Sequence, residues 1–119
     1  MVNKLNLHEK ETWKINLQMG SQSIVGHEQG ASRPCVVMKV LPKIRMATIV
    51  PMTSQLRVLR FPYTLEVQST PQNGLTSTSI AMIFQIRSVS FHRFQSKYGV
   101  LENDEFGDIQ DLICDFIQN

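Results

Sequence analysis

The chain has 119 residues, of which 42% are hydrophobic and 18% charged, a composition that excludes a disordered or fibrous protein and predicts a single domain spanning residues 1–119. No apolar run approaches the roughly 18 residues of a membrane span, and no signal-peptide pattern opens the chain, so we expect a cytoplasmic protein with no membrane partner. The formal net charge of +2 hides an asymmetry, because all 12 basic residues and only four of the 10 acidic ones precede residue 101.

This asymmetry gives residues 1–100 a charge of +8 and residues 101–119 a charge of −6. A body so basic attracts polyanions, of which nucleic acid is the first to consider. The alternative is that the acidic segment folds back and neutralises the body, and charge alone does not decide between the two. Cys35 and Cys114 lack a CxxC pairing, so we expect two buried structural thiols and neither a disulfide nor a zinc site.

The first half of the chain predicts strands separated by polar loops. Residues 1–11 show no period and are interpreted as a peripheral lead-in, whereas Trp13–Leu17 alternates as a half-buried strand does. Residues 18–29 are rich in Gly, Ser and Gln and predict a long surface loop. Arg33–Leu41 follows as a second strand that is buried on both faces at its apolar centre.

Three further strands are predicted in the middle of the chain. Met46–Met52 is the third, and we expect it to end or bulge at Pro51, which cannot donate to a ladder. A mobile loop at Gln55–Phe61 leads to the fourth strand, Tyr63–Val67. After a turn signal, Ser79–Val89 reads as one long fifth strand.

The C-terminal part predicts a helix. Phe91–Phe94 is interpreted as a short helical turn that ends near Gly99. Beyond it, Asn103 or Asp104 can cap a helix. The apolar residues of its face recur at spacings of three and four: Phe106, Ile109, Leu112, Ile113, Phe116 and Ile117. Short strands closed by one helix favour a mainly β, α+β fold, a small and highly bent antiparallel barrel.

Four polar residues lie at predicted loop–strand junctions: His27, Arg33, Thr53 and Ser54. If the second and third strands are neighbours, their ends bring these groups together. Histidine can act as acid or base near neutral pH, and the arginine fork binds phosphate oxygens. Together they suit metal-independent cleavage of RNA, which needs proton transfer and positive charge at the transition state.

Each residue also has a simpler interpretation. His27 alone is an ordinary loop histidine, and Arg33 can tie the loop through an ion pair with Glu28. In the same simpler interpretation, Arg57, Arg60 and Arg87 are solvated charges. The residues by themselves therefore indicate a nucleic-acid site and no more.

Four blocks occur in the order found in one family. G-H-E-Q-G-A-S-R-P-C-V-V-M begins at Gly26, and A-T-I-V-P-M-T-S ends at Ser54. F-P-Y-T-L-E-V begins at Phe61, and F-Q-I-R-S-V begins at Phe84. With these blocks the sequence resembles the MazF/PemK/Kid family of toxin endoribonucleases over roughly Trp13 to the C-terminus.

The resemblance implies an SH3-like, CcdB-type β-barrel with a C-terminal helix, assembled as a homodimer. It implies metal-free, cofactor-free, sequence-selective cleavage of single-stranded RNA, which leaves a 2′,3′-cyclic phosphate. Arg33 matches the motif arginine, Thr53 the catalytic threonine and His27 the histidine of the PemK/Kid branch. The residues expected to bind RNA are Ser54, Gln29, Glu28, Arg57, Arg60, Gln85 and Arg87. The expected partner is an antitoxin whose acidic, disordered C-terminal segment occupies the RNA groove.

The sequence departs from the family in one strand. Phe84 stands where relatives carry an acid, and Met82 where the Kid branch has an arginine, so catalysis must depend on other residues. Two rival functions stay open. One is a CcdB-like protein-binding toxin that poisons gyrase, and the other is a catalytically decayed homologue that binds RNA or antitoxin without cutting.

Overall fold

The computed structural model describes residues 6–18 and 32–118, and within them the chain forms seven strands and one α-helix. The elements are β1 Glu11–Asn16, β2 Ser32–Leu41, β3 Met46–Thr53, β4 Thr64–Val67, β5 Ser79–Met82, β6 Arg87–Ser90, β7 Phe94–Val100 and α1 Asn103–Gln118. All strand pairs are antiparallel, in the order β4-β5-β3-β2-β1-β7, with β6 also beside β3.

Strand β3 is at the centre of the sheet because, among the described residues, it pairs with three other strands, two of them along the same edge. One edge pairs with β2, while the other pairs with β6 at Met46–Ile49 and with β5 at Met52 and Thr53. Pro51 falls in the gap between these two partners, where the missing N–H breaks no ladder bond. The strand therefore continues to Thr53, and the predicted end or bulge at Pro51 is wrong.

Both faces of the sheet are covered by hydrophobic side chains. One cluster lies between the sheet and α1 and contains Val36, Met38, Val50, Met52, Val67, Leu75, Ala81, Ile83, Leu101, Phe106 and Ile109. The other contains Leu7, Trp13, Ile15, Cys35, Val37, Ala47, Ile49, Val89, Phe91 and Phe94. Successive residues of β2 alternate between the clusters, so its centre is buried on both faces as predicted.

Helix α1 packs by the predicted apolar face, but only in part. Phe106 and Ile109 are buried, whereas Ile117 is 72% exposed and belongs to neither cluster. Cys114 is also exposed, which contradicts the predicted buried thiol, because five helical positions place it roughly 140° around the axis from Ile109. Across residues 6–18 and 32–118, no helix has both the length and the apolar character that crossing a membrane requires.

The predicted mainly β, α+β fold with a C-terminal helix is confirmed, although the sheet does not close into a complete barrel. Its end strands, β4 and β7, each pair on one side in the described part of the chain. The β7 strand approaches the turn that follows β4, where the Val100 N–H donates to the Gln72 carbonyl at 2.9 Å.

Residues 6–11 are not a peripheral lead-in, contrary to the sequence-based expectation. Leu7 is 2% exposed and packs in the second cluster. The Lys10 N–H donates to the Val37 carbonyl at 2.9 Å, and the Lys10 carbonyl accepts from the Leu101 N–H at 2.7 Å. A single buried leucine among polar neighbours gives no periodic signal, which is why the pattern missed this segment.

Two other predictions are corrected. The predicted fifth strand, Ser79–Val89, is two short strands separated by a 3₁₀ turn at Ile83–Gln85, which moves the chain from one part of β3 to another. The helical turn at Phe91–Arg93 is present, but it is followed by β7 rather than by a loop. In the part of the chain that the structure describes, strand β7 pairs with β1 alone, and its centre is polar and exposed, so it shows no apolar alternation.

Candidate active site

The ends of β2 and β3 bring Arg33 and Thr53 to one place. In the antiparallel register Cys35 faces Pro51, and extending that register by two residues places Arg33 opposite Thr53. Both residues line the same cavity, of about 300 Å³. Their convergence follows from the pairing of β2 with β3, the condition on which the predicted site depends.

Four segments of the chain form this cavity. The start of β2, the end of β3 with the two residues after it, the loop before β5 and one residue of β7 meet there. The lining residues are Ser32, Arg33, Pro34, Met52, Thr53, Ser54, Gln55, Gly74, Leu75, Thr76, Ser77, Ser79 and Tyr98. The wall is rich in hydroxyl groups, which suits a polar ligand. We refer to this space as the Arg33 cavity.

Arg33 gives the cavity a positive charge. It is the one charged residue among the described residues that line it, and no carboxylate lies in that wall. Within residues 6–18 and 32–118, the half-buried guanidinium forms no ion pair. A cavity with a partly shielded guanidinium and no acid favours an anion, and the arginine fork matches phosphate oxygens.

Thr53 presents an oriented hydroxyl group. Its side chain is buried, and its Oγ1 accepts a hydrogen bond from the Gln55 N–H at 3.2 Å. This turn fixes the oxygen, while the hydroxyl proton has no acceptor in the described part of the chain. The proton is therefore available to a ligand oxygen. Ser54 also lines the cavity and is exposed.

The thiol nearest to Arg33 is not a nucleophile. Cys35 is buried, and burial raises its pKa strongly, despite the lowering effect of Arg33 and Arg87. Its Sγ instead lies 3.6 Å from the Arg33 carbonyl, as a weak donor. No group of three or more His, Cys, Asp or Glu side chains with metal-binding geometry occurs in residues 6–18 and 32–118.

The other predicted site residues divide into two groups. His27, Glu28 and Gln29 lie outside the described residues. Arg57 and Arg60 are exposed on a 3₁₀ turn, Leu56–Arg60, which lies within the predicted loop Gln55–Phe61 and begins one residue after the cavity wall.

Gln85 and Arg87 do not line the Arg33 cavity. Gln85 is exposed on the turn between β5 and β6. The Arg87 guanidinium donates to the Leu17 carbonyl at 3.3 Å, and that of Arg93 donates to the Asn16 carbonyl at 3.1 Å. Both arginines therefore stabilise the backbone where β1 ends.

Sequence reasoning missed two parts of the cavity. The segment Gly74–Ser79 carries one signal in the sequence, a run of hydroxyl residues after the Asn-Gly turn. Tyr98 gave none, because the polar centre of β7 did not register as a strand.

A family model described as "PemK-like, MazF-like toxin of type II toxin-antitoxin system" matches residues 10–117. The chain belongs to this family. The resemblance drawn from the four sequence blocks is thereby confirmed. No curated protein matches the sequence significantly.

Solved structures of PemK/MazF-like proteins share the fold. The chain is similar to one in the MazE–MazF crystal structure from Deinococcus radiodurans, with 13% identity, a TM-score of 0.66, and coverage of 93% of this chain and 94% of that one. An endoribonuclease bound to its cognate antitoxin, from a mycobacterial species, matches at 10% identity and a TM-score of 0.68, covering 94% and 95% of the two chains. MazF from D. radiodurans matches at 17% identity and 0.64, covering 90% and 94%.

The two residues that depart from the PemK/MazF pattern, Met82 and Phe84, lie outside the Arg33 cavity. Phe84 lines an apolar groove with Phe61, Pro62, Tyr63 and Phe116, which we call the aromatic groove. The rings of Phe84 and Phe61 meet edge to face, 6.1 Å apart at 80°. In this chain the position thus belongs to an apolar surface.

Proposed function

We propose that this PemK/MazF-like toxin is a metal-independent endoribonuclease that cleaves single-stranded RNA at selected sequences. The observation that carries the proposal is the pairing of Arg33 with Thr53 in one cavity that no described carboxylate lines. Such a cavity attracts a phosphodiester and provides donors for the charge that develops on it.

The proposed reaction is an attack of the RNA 2′-oxygen on the adjacent phosphorus. The P–O5′ bond breaks, which leaves a 2′,3′-cyclic phosphate and a 5′-hydroxyl. A base takes the 2′-hydroxyl proton, and an acid protonates the leaving 5′-oxygen. We assign Arg33 to the non-bridging oxygens and the Thr53 hydroxyl to orientation of the phosphate. His27, five positions before Ser32, is assigned a proton transfer.

We assign RNA binding around the reacting phosphate to neighbours of this pair. Ser54 donates from the cavity wall, and Arg57 and Arg60 contact backbone phosphates from the following turn. Glu28 and Gln29 precede β2 in the chain, beside the proposed proton-transfer residue. Contacts from Gln85 and Arg87 are to RNA outside the cavity, because neither residue lines it.

We further propose a homodimer that binds an antitoxin through an acidic, disordered segment. The family description and the antitoxin complex of the mycobacterial endoribonuclease support this partner. Light scattering tests the dimer, and a monomer at micromolar concentration contradicts it.

The test is cleavage of single-stranded RNA in EDTA, followed by analysis of the product ends. Arg33→Ala and Thr53→Val each lower the rate by about 10²- to 10³-fold while leaving the circular dichroism spectrum unchanged. The matched control is Arg45→Asn, which removes an exposed arginine at the opposite end of β3 and suits its φ of 58°. Full activity of Arg33→Ala contradicts the assignment.

The same assay separates the rival functions. Cyclic phosphate ends support the proposal, whereas a strict need for added magnesium contradicts the metal-free mechanism. Tight RNA binding without cleavage identifies a decayed homologue. Inhibition of gyrase with RNA left intact identifies a CcdB-like toxin.

A further inference from the structure

Tyr98 is the one aromatic residue among the described residues that line the Arg33 cavity. It lies on β7 and is 37% exposed, so part of its surface is open to a ligand. Arg33 and Thr53 lie on other strands of the same wall. An aromatic residue therefore borders the place assigned to the reacting phosphate.

The backbone of Tyr98 is held by the turn that contains Gly74, another residue of the cavity wall. Gly74 has a φ of 69°, and a Cβ there would lie 2.1 Å from the Tyr98 carbonyl oxygen. Next to it, a Cβ on Gly99 would lie 2.2 Å from the Gln72 carbonyl oxygen. Two glycines thus allow a backbone contact that any larger residue prevents, and this contact fixes where β7 meets the cavity.

The turn itself is rigid because Asn73 is fully buried and hydrogen-bonded throughout. Its Oδ1 accepts from the N–H groups of Thr70 and Leu75, both at 3.0 Å. Its Nδ2 donates to the Gln68 carbonyl at 2.9 Å and to Glu102 at 3.2 Å. A side chain satisfied in this way specifies one conformation of the turn. The position of Tyr98 is therefore set before any ligand binds.

Within residues 6–18 and 32–118, the ring of Tyr98 has no aromatic partner, and its hydroxyl group makes no hydrogen bond. None of these described residues therefore uses the ring or the hydroxyl group in place of a ligand. Burial raises the pKa of the phenol, which keeps it neutral at physiological pH. By contrast, Tyr63, the other tyrosine, already packs edge to face on Phe116 at 5.1 Å.

Single-stranded RNA presents unstacked bases beside each phosphate, and proteins bind them by stacking on aromatic side chains. We propose that Tyr98 stacks on a base that flanks the cleaved phosphate and so contributes to the choice of RNA sequence. This inference rests on the proposed function and adds to it a substrate-binding residue that the family motifs did not indicate.

The test compares Tyr98→Leu and Tyr98→Phe in steady-state cleavage of one short RNA. Stacking that is equal in the ground and transition states affects KM and not kcat, so Tyr98→Leu raises KM roughly 5- to 150-fold. Tyr98→Phe keeps the ring and stays within about twofold of the wild type. Gln95→Leu, an exposed residue of the same strand outside the cavity, is the matched control.

A second substrate locates the stacked base. RNA with an abasic nucleotide beside the cleaved bond loses affinity for the wild type, and Tyr98→Leu then causes little further loss. Equal losses from Tyr98→Leu on both substrates overturn the proposal, because the ring then acts without that base. A large fall in kcat for Tyr98→Phe also overturns it, since the hydroxyl group and not the ring is then the active part.

Failure of the stacking inference can be distinguished from failure of the proposed function. If wild-type protein cleaves, Arg33→Ala is inactive and Tyr98→Leu is normal, only the stacking inference fails. If wild-type protein neither cleaves nor binds RNA, the proposed function fails with it.

Discussion

Glu11 is a carboxylate that the fold keeps charged although only 4% of the residue is exposed. It accepts from the Trp13 indole N–H at 2.9 Å and from the His8 backbone N–H at 3.1 Å, and it pairs with Lys97 at 3.1 Å. Burial acts to raise its pKa, but these hydrogen bonds outweigh it, and the pKa lies below its usual value of 4.5. The group joins the segment before β1 to β7.

Glu11→Gln should therefore lower the free energy of unfolding and make that free energy less sensitive to acidic pH. Because the pKa is lower in the folded state, the carboxylate stabilises the fold fully above about pH 4.5 and loses that effect as the pH falls through its folded value. We expect the variant to lose about 1–3 kcal/mol of unfolding free energy at pH 7. The difference from wild type should shrink at pH 3.

Urea unfolding followed by the fluorescence of Trp13, the sole tryptophan, measures both quantities. Glu66→Gln, at an exposed carboxylate whose one hydrogen-bond donor among the described residues is Gln68, is the control and should change neither. A deficit for Glu11→Gln that is the same at pH 7 and pH 3 contradicts the assignment.

Individual residues also show how far the sequence could predict the site. Arg33 and Thr53 could be chosen because they stand at strand ends in recognisable motifs, and their pairing then followed from neighbouring strands. Tyr98 could not be chosen, because its place in the cavity depends on the contact of Gly74 with β7, which no local pattern encodes.

Among the elements, those with strong periodicity were predicted and those set by tertiary pairing were not. Helix α1 and the apolar strands β2 and β3 match their patterns. The break between β5 and β6 could not be read from one apolar run, since it depends on which part of β3 each strand pairs with. The same break places Phe84 in the aromatic groove.

This placement predicts the result of restoring the acid that relatives carry. Phe84→Glu puts a charge among the rings of the aromatic groove and removes the contact with Phe61. We expect a loss of about 1–2 kcal/mol in unfolding free energy and no gain in RNA cleavage. Phe84→Leu, which keeps the surface apolar, is the control and should lose less. Faster cleavage by Phe84→Glu would show instead that a carboxylate at this position reaches the reacting phosphate.

At the scale of the whole molecule, no ion pair joins three exposed acids of the acidic helix α1 to the basic body in the part of the chain that the structure describes. The exposed acids Asp104, Asp108 and Asp111 of α1 form no ion pair with any residue in the described part of the chain. The acidic segment thus folds as the helix that covers the first hydrophobic cluster, with these carboxylates solvated. The positive field of the remaining residues stays available to a polyanion.

If this field binds RNA, the salt dependence of RNA binding should depend on where the basic residues lie and not only on the net charge. For single-stranded RNA, the logarithm of the binding constant falls with the logarithm of salt concentration by about 0.7 for each phosphate contact. Arg57→Gln with Arg60→Gln, next to the Arg33 cavity, should make the slope shallower by about 1.4. The measurement is titration of an RNA that lacks the reactive 2′-hydroxyl, so that it is bound and not cut.

Lys39→Gln with Lys43→Gln is the matched pair, because it removes the same charge from exposed positions near the other end of β2. Lys39 is six residues along β2 from Arg33, about 20 Å away at the usual rise of a strand, well beyond the screening length of about 8 Å at physiological salt. This pair should leave the slope unchanged. If both pairs change it equally, Arg57 and Arg60 act through net charge, and their assignment as phosphate contacts is wrong.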